Sequence, residues 1–160
     1  MIVGEALPAV SLRTRAGTAF ETASLVGTPC VLFLYPRADT PGCTQEALDF
    51  TGLREDFASL GVRVIGVSND PPAKLDRFAE RRGLSVELVS HEYGALIKAL
   101  GAWVEKRLYG RSSMGVERST FLINAKGIVR RIWRKVRVAG HAQEVLEACR
   151  AGELERADGR

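Results

Sequence analysis

Apolar positions in this chain follow two kinds of pattern. Residues 30–35, Cys-Val-Leu-Phe-Leu-Tyr, form an unbroken apolar run between Pro29 and Pro36, and residues 62–67, apolar apart from Arg63 and Gly66, read as a second buried strand. Short runs without polar alternation mark strands buried on both faces. Between them, residues 41–60 repeat apolar side chains at Phe50, Leu53, Phe57 and Leu60, the stripe of one helix. Strand, helix and strand at this spacing make a βαβ unit with parallel pairing and a right-handed crossover. Further helices are predicted over residues 72–82 (Leu75, Phe78 and Ala79 on one face), 92–100 (Leu96, Ile97, Leu100) and 141–150. Residues 120–123 and 128–133 flank Asn124-Ala125-Lys126-Gly127 and read as paired strands. Residues 7–21 alternate loosely around Gly17, which predicts a short N-terminal β-hairpin. The expected fold is α/β: a central mixed β-sheet flanked by helices on both faces, in one domain over residues 1–160. The polar segment 151–160 is expected to fray.

Composition narrows the class. Of 160 residues, 46% are hydrophobic and 26% charged, which excludes a disordered chain. Three cysteines are too few for a disulfide-stapled scaffold. No apolar run approaches the roughly 20 residues that span a bilayer, and Met1-Ile-Val-Gly-Glu lacks a signal-peptide pattern. With the odd cysteine count, these features lead to an expectation of a reducing cytoplasm. Net charge is +4, and much of the surplus sits in Arg130, Arg131, Arg134, Lys135 and Arg137, around Ile132, Trp133 and Val136. This segment reads as extended chain with a solvated basic side. No nucleic-acid motif accompanies it, so no nucleic-acid partner is expected. Three scattered cysteines with His91 and His141 lack zinc-ligand spacing, and no metal is expected. His91 reads as a surface loop residue, and His141 as a cap or packing residue of the last helix.

The candidate chemistry lies where the first helix begins, at Asp39-Thr40-Pro41-Gly42-Cys43-Thr44-Gln45-Glu46. Thr40 suits the N-cap, its hydroxyl accepting an unpaired backbone N–H. Pro41 suits the first helical position, where its missing N–H is harmless. Cys43 then falls in the first turn, where exposed N–H groups and the helix dipole favour an anion. A thiolate is such an anion and is the nucleophilic form of cysteine. A helix end usually supplies about 0.3–1 kcal/mol, which is too little to ionise most of a thiol near neutral pH, so a cation is needed as well. On the helical phase set by Phe50, both Cys43 and Glu46 point inward. A buried, unpaired Glu46 is unfavourable beside a thiolate. One arginine resolves both problems, and Arg118, opening Arg-Ser-Thr-Phe-Leu-Ile, is the candidate. A first-turn cysteine is equally compatible with an inert buried thiol, Thr40 with a simple cap and Arg118 with a strand-end surface charge.

Tyr35-Pro36-Arg37-Ala38-Asp39-Thr40-Pro41-Gly42-Cys43-Thr44-Gln45-Glu46 resembles the active-site segment of peroxiredoxins, with their Pro-x-x-x-Thr-x-x-Cys signature as Pro36, Thr40 and Cys43. The wording is most similar to the PrxQ, or bacterioferritin comigratory protein, subfamily. The resemblance continues through Gly66-Val67-Ser68-Asn69-Asp70, Gly101-Ala102-Trp103, Gly110, Arg118 to Ile123 and Val138-Ala139-Gly140-His141, so it covers nearly the whole chain. It implies a thioredoxin-like fold and a cysteine-dependent peroxidase for hydrogen peroxide and organic hydroperoxides, without metal, haem or flavin. By the same resemblance Cys43 is the peroxidatic cysteine and becomes a sulfenic acid. Thr40 hydrogen-bonds peroxide and thiolate, Pro36 shields the thiol, and Arg118 stabilises the developing charge, with Glu46 in support. The resemblance leans towards a monomer.

One departure stands out. Many PrxQ proteins carry a resolving cysteine five positions after the peroxidatic one, and here that position is Leu48. Others carry it on the next helix, but residues 72–92 contain no cysteine. Cys30 opens an apolar strand and reads as core. Cys149 shares an apolar face with Ala142, Val145 and Leu146 and also reads as core, with a resolving role the lesser alternative. The expectation is a one-cysteine peroxidase whose sulfenic acid is reduced by thioredoxin, glutaredoxin or a small thiol. The alternatives are a peroxide-sensing relay with little turnover and a binding module using residues 130–137.

Overall fold

The computed structural model describes residues 1–91 and 94–154. Its elements run β1 (Ser11–Thr14), β2 (Ala19–Glu21), β3 (Cys30–Leu34), α1 (Pro41–Gly52), α2 (Arg54–Ser59), β4 (Arg63–Ser68), α3 (Pro72–Arg82), β5 (Glu87–Ser90), α4 (Ala95–Ala99), β6 (Trp103–Leu108), β7 (Arg111–Val116), β8 (Ser119–Ile123), β9 (Val129–Trp133) and α5 (His141–Arg150). Seven strands form one sheet in the order β2-β1-β5-β4-β3-β8-β9, and β6 with β7 forms a separate hairpin. β3, β4 and β5 pair in parallel, while β8 joins β3 antiparallel, so the sheet is mixed.

The apolar run at β3 is buried along its whole length and splits by alternation. Val31 and Phe33 face the core beneath α1, α2, α3 and α5, whereas Cys30, Leu32 and Leu34 face the core beneath α4. Phe50 of α1 stacks on Phe33 with ring centroids 4.7 Å apart. That contact lays the helix across the end of the central strand. Gly66 of β4 permits this packing, because a Cβ there would come within 2.6 Å of the Phe33 ring. Among the described residues no helix is long and apolar enough to cross a membrane.

Several sequence expectations need correction. The helix expected over residues 41–60 is two helices that break at Leu53 (φ −103°, ψ 7°). The break follows Gly52, a poor helix former, and Leu53 donates its N–H to the Phe50 carbonyl in a tightened last turn. Phe50 and Phe57 are buried, but Leu60 points to solvent. The helix expected over 92–100 is only Ala95–Ala99, and residues 92 and 93 lie outside the described residues. β5 and the β6–β7 hairpin were not anticipated. Residues 151–154 form a turn that buries Leu154 in the core rather than fraying. The rest of the expected frayed tail, residues 155–160, lies outside the described residues.

The basic segment is not simply solvated. Arg131 pairs with Glu153 at 3.1 Å and lies 4.4 Å over the Trp133 ring, while Arg134 lies over Phe121 and donates to the Met1 carbonyl. His91 is buried, not superficial. Its Nε2 accepts the Leu96 N–H at 2.5 Å and so caps α4. His141 packs as expected, edge-on to Phe50 and Trp133, with Nε2 2.7 Å from the Thr120 hydroxyl.

Candidate active site

The segment between β3 and α1 brings the candidate residues to the carboxyl end of the central strand. Thr40 is the N-cap of α1 and Pro41 its first residue, which places Cys43 in the first turn. Cys43 is 1% exposed. Arg118, immediately before β8, reaches both inward side chains of α1. One guanidinium nitrogen donates to Cys43 Sγ at 3.3 Å and the other to Glu46 Oε1 at 2.6 Å. Arg118 itself is held in register, since its carbonyl accepts the Val136 N–H. The approach is close because residue 42 is glycine: a Cβ there would lie 3.2 Å from the Arg118 nitrogen.

The electrostatics follow from burial. Glu46 is 1% exposed, and burial pushes its carboxyl up to about 7, with Arg118 opposing that rise. Its second oxygen, Oε2, has no hydrogen-bond partner. The Arg118 guanidinium nitrogen 3.3 Å from sulfur aims a charge-assisted hydrogen-bond donor at Cys43. The other two cysteines sit differently. Burial pushes the Cys30 thiol up to about 12, so it stays protonated near neutral pH. Cys149 is buried near the C-terminal end of α5, where the adjacent Arg150 pairs with Asp56 of α2.

An open cleft of about 420 Å³ gives access to this corner, with Pro36, Thr40, Cys43, Asn69, Trp103 and Arg118 among its walls. All four residues of the expected catalytic set therefore line one cleft, and Glu46 stands behind Arg118. One detail differs from expectation. The Thr40 hydroxyl does not accept a helix N–H; it donates to the Arg37 carbonyl at 2.9 Å. The cap is geometric, and the hydroxyl oxygen keeps its acceptor capacity. Leu48 is partly exposed on the outer side of α1. The sequence pattern missed Asn69, Trp103 and the hairpin residues Lys106, Met114 and Val116 as cleft walls. The hairpin strands mix polar and apolar residues on both faces and gave no clean alternation to read; Tyr109-Gly110 at the tip was the available turn signal.

Comparisons with known proteins agree with this architecture. The AhpC/TSA family model matches residues 3–132. Peroxiredoxin Bcp of Xanthomonas campestris is 41% identical over 140 residues, covering 88% of each chain. Peroxiredoxin Bcp of Bacillus subtilis is 38% identical over 145 residues, 91% of this chain and 92% of that one. A structure of Xanthomonas campestris peroxiredoxin Q superposes with a TM-score of 0.86 at 40% identity, covering 90% of this chain and 91% of the other. A cysteine-to-serine variant of Xylella fastidiosa PrxQ gives 0.90 at 34%, covering 95% and 97%. The chain belongs to the AhpC/TSA family and has the thioredoxin-like peroxiredoxin fold. It is a thiol peroxidase, an oxidoreductase, and within the family its relatives are the Bcp or PrxQ peroxiredoxins.

Proposed function

We propose that this protein reduces hydrogen peroxide and organic hydroperoxides by a one-cysteine mechanism centred on Cys43. The observation that carries the reading is the Arg118 fork, which joins Cys43 Sγ to the buried Glu46 at the start of α1. The Cys43 thiolate attacks the terminal peroxide oxygen. The S–O bond forms as the O–O bond breaks; the attacked oxygen keeps its hydrogen, and the leaving oxygen takes a proton from solvent to depart as water or an alcohol. Arg118 faces the charge that develops on sulfur and oxygen, and the Thr40 oxygen accepts a hydrogen bond from the peroxide. Pro36 covers the sulfur against water. Cys43 is left as a sulfenic acid.

An external thiol then condenses with the sulfenic acid, releasing water and forming a mixed disulfide. A second thiol displaces Cys43 as its thiolate, with the reductant leaving as a disulfide. Support for an external reductant is the placement of the remaining cysteines: Cys30 on the opposite face of the sheet with a protonated thiol, and Cys149 in the core at the far end of α5. The reductant is thioredoxin, glutaredoxin or a small thiol. The protein acts as a monomer in the reducing cytoplasm, a setting that suits an odd number of buried cysteines. Steady-state peroxidase turnover with thioredoxin tests this. Cys43→Ser should abolish activity, while Cys30→Ser and Cys149→Ser should retain most of it. Substantial turnover by the Cys43 variant would refute the mechanism.

A further inference from the structure

We propose that Asp70 is a positioning residue for the peroxide step: its buried carboxylate holds the segment between β3 and α1 in place through the Ala38 backbone N–H. The proposal rests on the reading of Cys43 as the attacking sulfur. Asp70 follows β4 and stands beside the cleft without lining it. Its Oδ2 accepts the Ala38 N–H at 2.6 Å and the Ser68 hydroxyl at 2.9 Å, and its Oδ1 pairs with Lys74 at 3.2 Å. Its own position is fixed from the sheet. The Ser90 hydroxyl of β5 donates to the Asp70 carbonyl at 2.6 Å, and the Asp70 N–H is donated to Ser68 Oγ at 3.2 Å. The Asp70 side chain is only 10% exposed.

The segment it grips needs an anchor. Residues 36–40 supply Pro36, Arg37 and Thr40 to the cleft and set where α1 begins. Asp39 sits at φ +64°, a left-handed conformation that a side chain rarely adopts. Aspartate tolerates this conformation better than most side chains, at a modest cost that contacts around the segment offset. The Thr40 hydroxyl bonds within the segment, to Arg37, and ties it to nothing else. Asp39 also pairs with Arg81 and Arg82, at 2.7 and 2.8 Å, but both arginines are largely exposed, so this clamp is screened by water. The Asp70 bond is buried and charge-assisted, which makes it the stronger tie. Among the described residues, Asp70 has no hydrogen bond or ion pair with Cys43 or Arg118. Its influence on the reaction runs through the backbone that carries Thr40 and Pro36.

The test uses Asp70→Ala and Asp70→Asn in the full chain. Two rates at Cys43 are measured side by side: single-turnover oxidation by hydrogen peroxide and alkylation by iodoacetamide. Peroxide needs the aligned segment, while alkylation needs only the sulfur and its Arg118 contact. Asp70→Ala should slow oxidation by about 10- to 100-fold, the scale of a small misplacement at a reacting centre. Asp70→Asn keeps a neutral acceptor and should slow it by about 3- to 10-fold. Alkylation should stay within about 2-fold of wild type in both. If Asp70→Ala does not fold, Asp70→Asn still decides. Wild-type oxidation in a folded Asp70→Asn would overturn the proposal. So would alkylation accelerated several-fold, which would mean that Asp70 merely keeps the protein closed. A wild-type chain whose Cys43 alkylates normally but ignores peroxide would overturn the proposed function, and this role with it.

Discussion

Glu46 and His141 impose opposite pH dependences on stability, and removing one should expose the other. Burial holds the Glu46 carboxyl at about 7, against 4.5 for a solvated glutamate. The folded chain therefore binds this proton more tightly than the unfolded chain. The stability it contributes is complete below about pH 4.5 and is lost as pH rises through about 7. His141, 4% exposed, is held by burial at about 4 against 6.5. Its contribution is complete above about pH 6.5 and is lost as pH falls through about 4. Between pH 4.5 and 6.5 the two slopes oppose and largely cancel, each reaching at most about 1.4 kcal/mol per pH unit. Glu46→Gln keeps an acceptor for Arg118 but does not titrate. Relative to wild type, its stability should rise by about 2 kcal/mol from pH 4.5 to 6.5. Urea unfolding at pH 4.5, 5.5 and 6.5 measures this directly. Parallel curves for variant and wild type would refute the reasoning, because Glu46 would then titrate in the folded chain as it does when unfolded.

Three further outcomes follow from single contacts. Arg118→Lys cannot bridge Cys43 and Glu46 as a fork and should slow single-turnover peroxide reduction by about 10²-fold, the scale of losing one oriented donor. Gly66→Ala drives a Cβ to 2.6 Å from the Phe33 ring and 3.0 Å from Leu88; urea midpoints should show a loss of about 1–3 kcal/mol. Phe57→Ala removes a fully buried ring of α2 and should destabilise by about 3–5 kcal/mol in the same assay, with Cys43 alkylation at low urea unchanged.

Much of the site was legible because helical phase is a strong constraint. Once Phe50 fixes the inner face of α1, Cys43 and Glu46 must share it, and a buried carboxylate beside a thiol calls for a cation. Arg118 was reachable by that argument although it lies 75 residues from Cys43. What could not be read was tertiary. Thr40 has the right residue type for a side-chain cap, yet its hydroxyl turns to the Arg37 carbonyl, a choice set by the conformation of the whole segment. The role of Asp70 gave no signal in the sequence, because a side chain that holds a backbone N–H 32 positions away leaves no periodic trace. His91 looked like a loop residue because only the folded chain places the start of α4 against its ring. The break at Leu53 was hidden by Phe57, which continues the apolar spacing across the end of one helix into the next.

The central claim is that Cys43 forms a sulfenic acid that no other cysteine of the chain resolves. Intact-protein mass after one equivalent of hydrogen peroxide, with and without a sulfenic-acid trap, tests it most directly. The account predicts a gain of one oxygen, converted by the trap to an adduct that peptide mapping places on Cys43. A loss of two hydrogens with no adduct would contradict it, by showing that Cys30 or Cys149 closes a disulfide with Cys43.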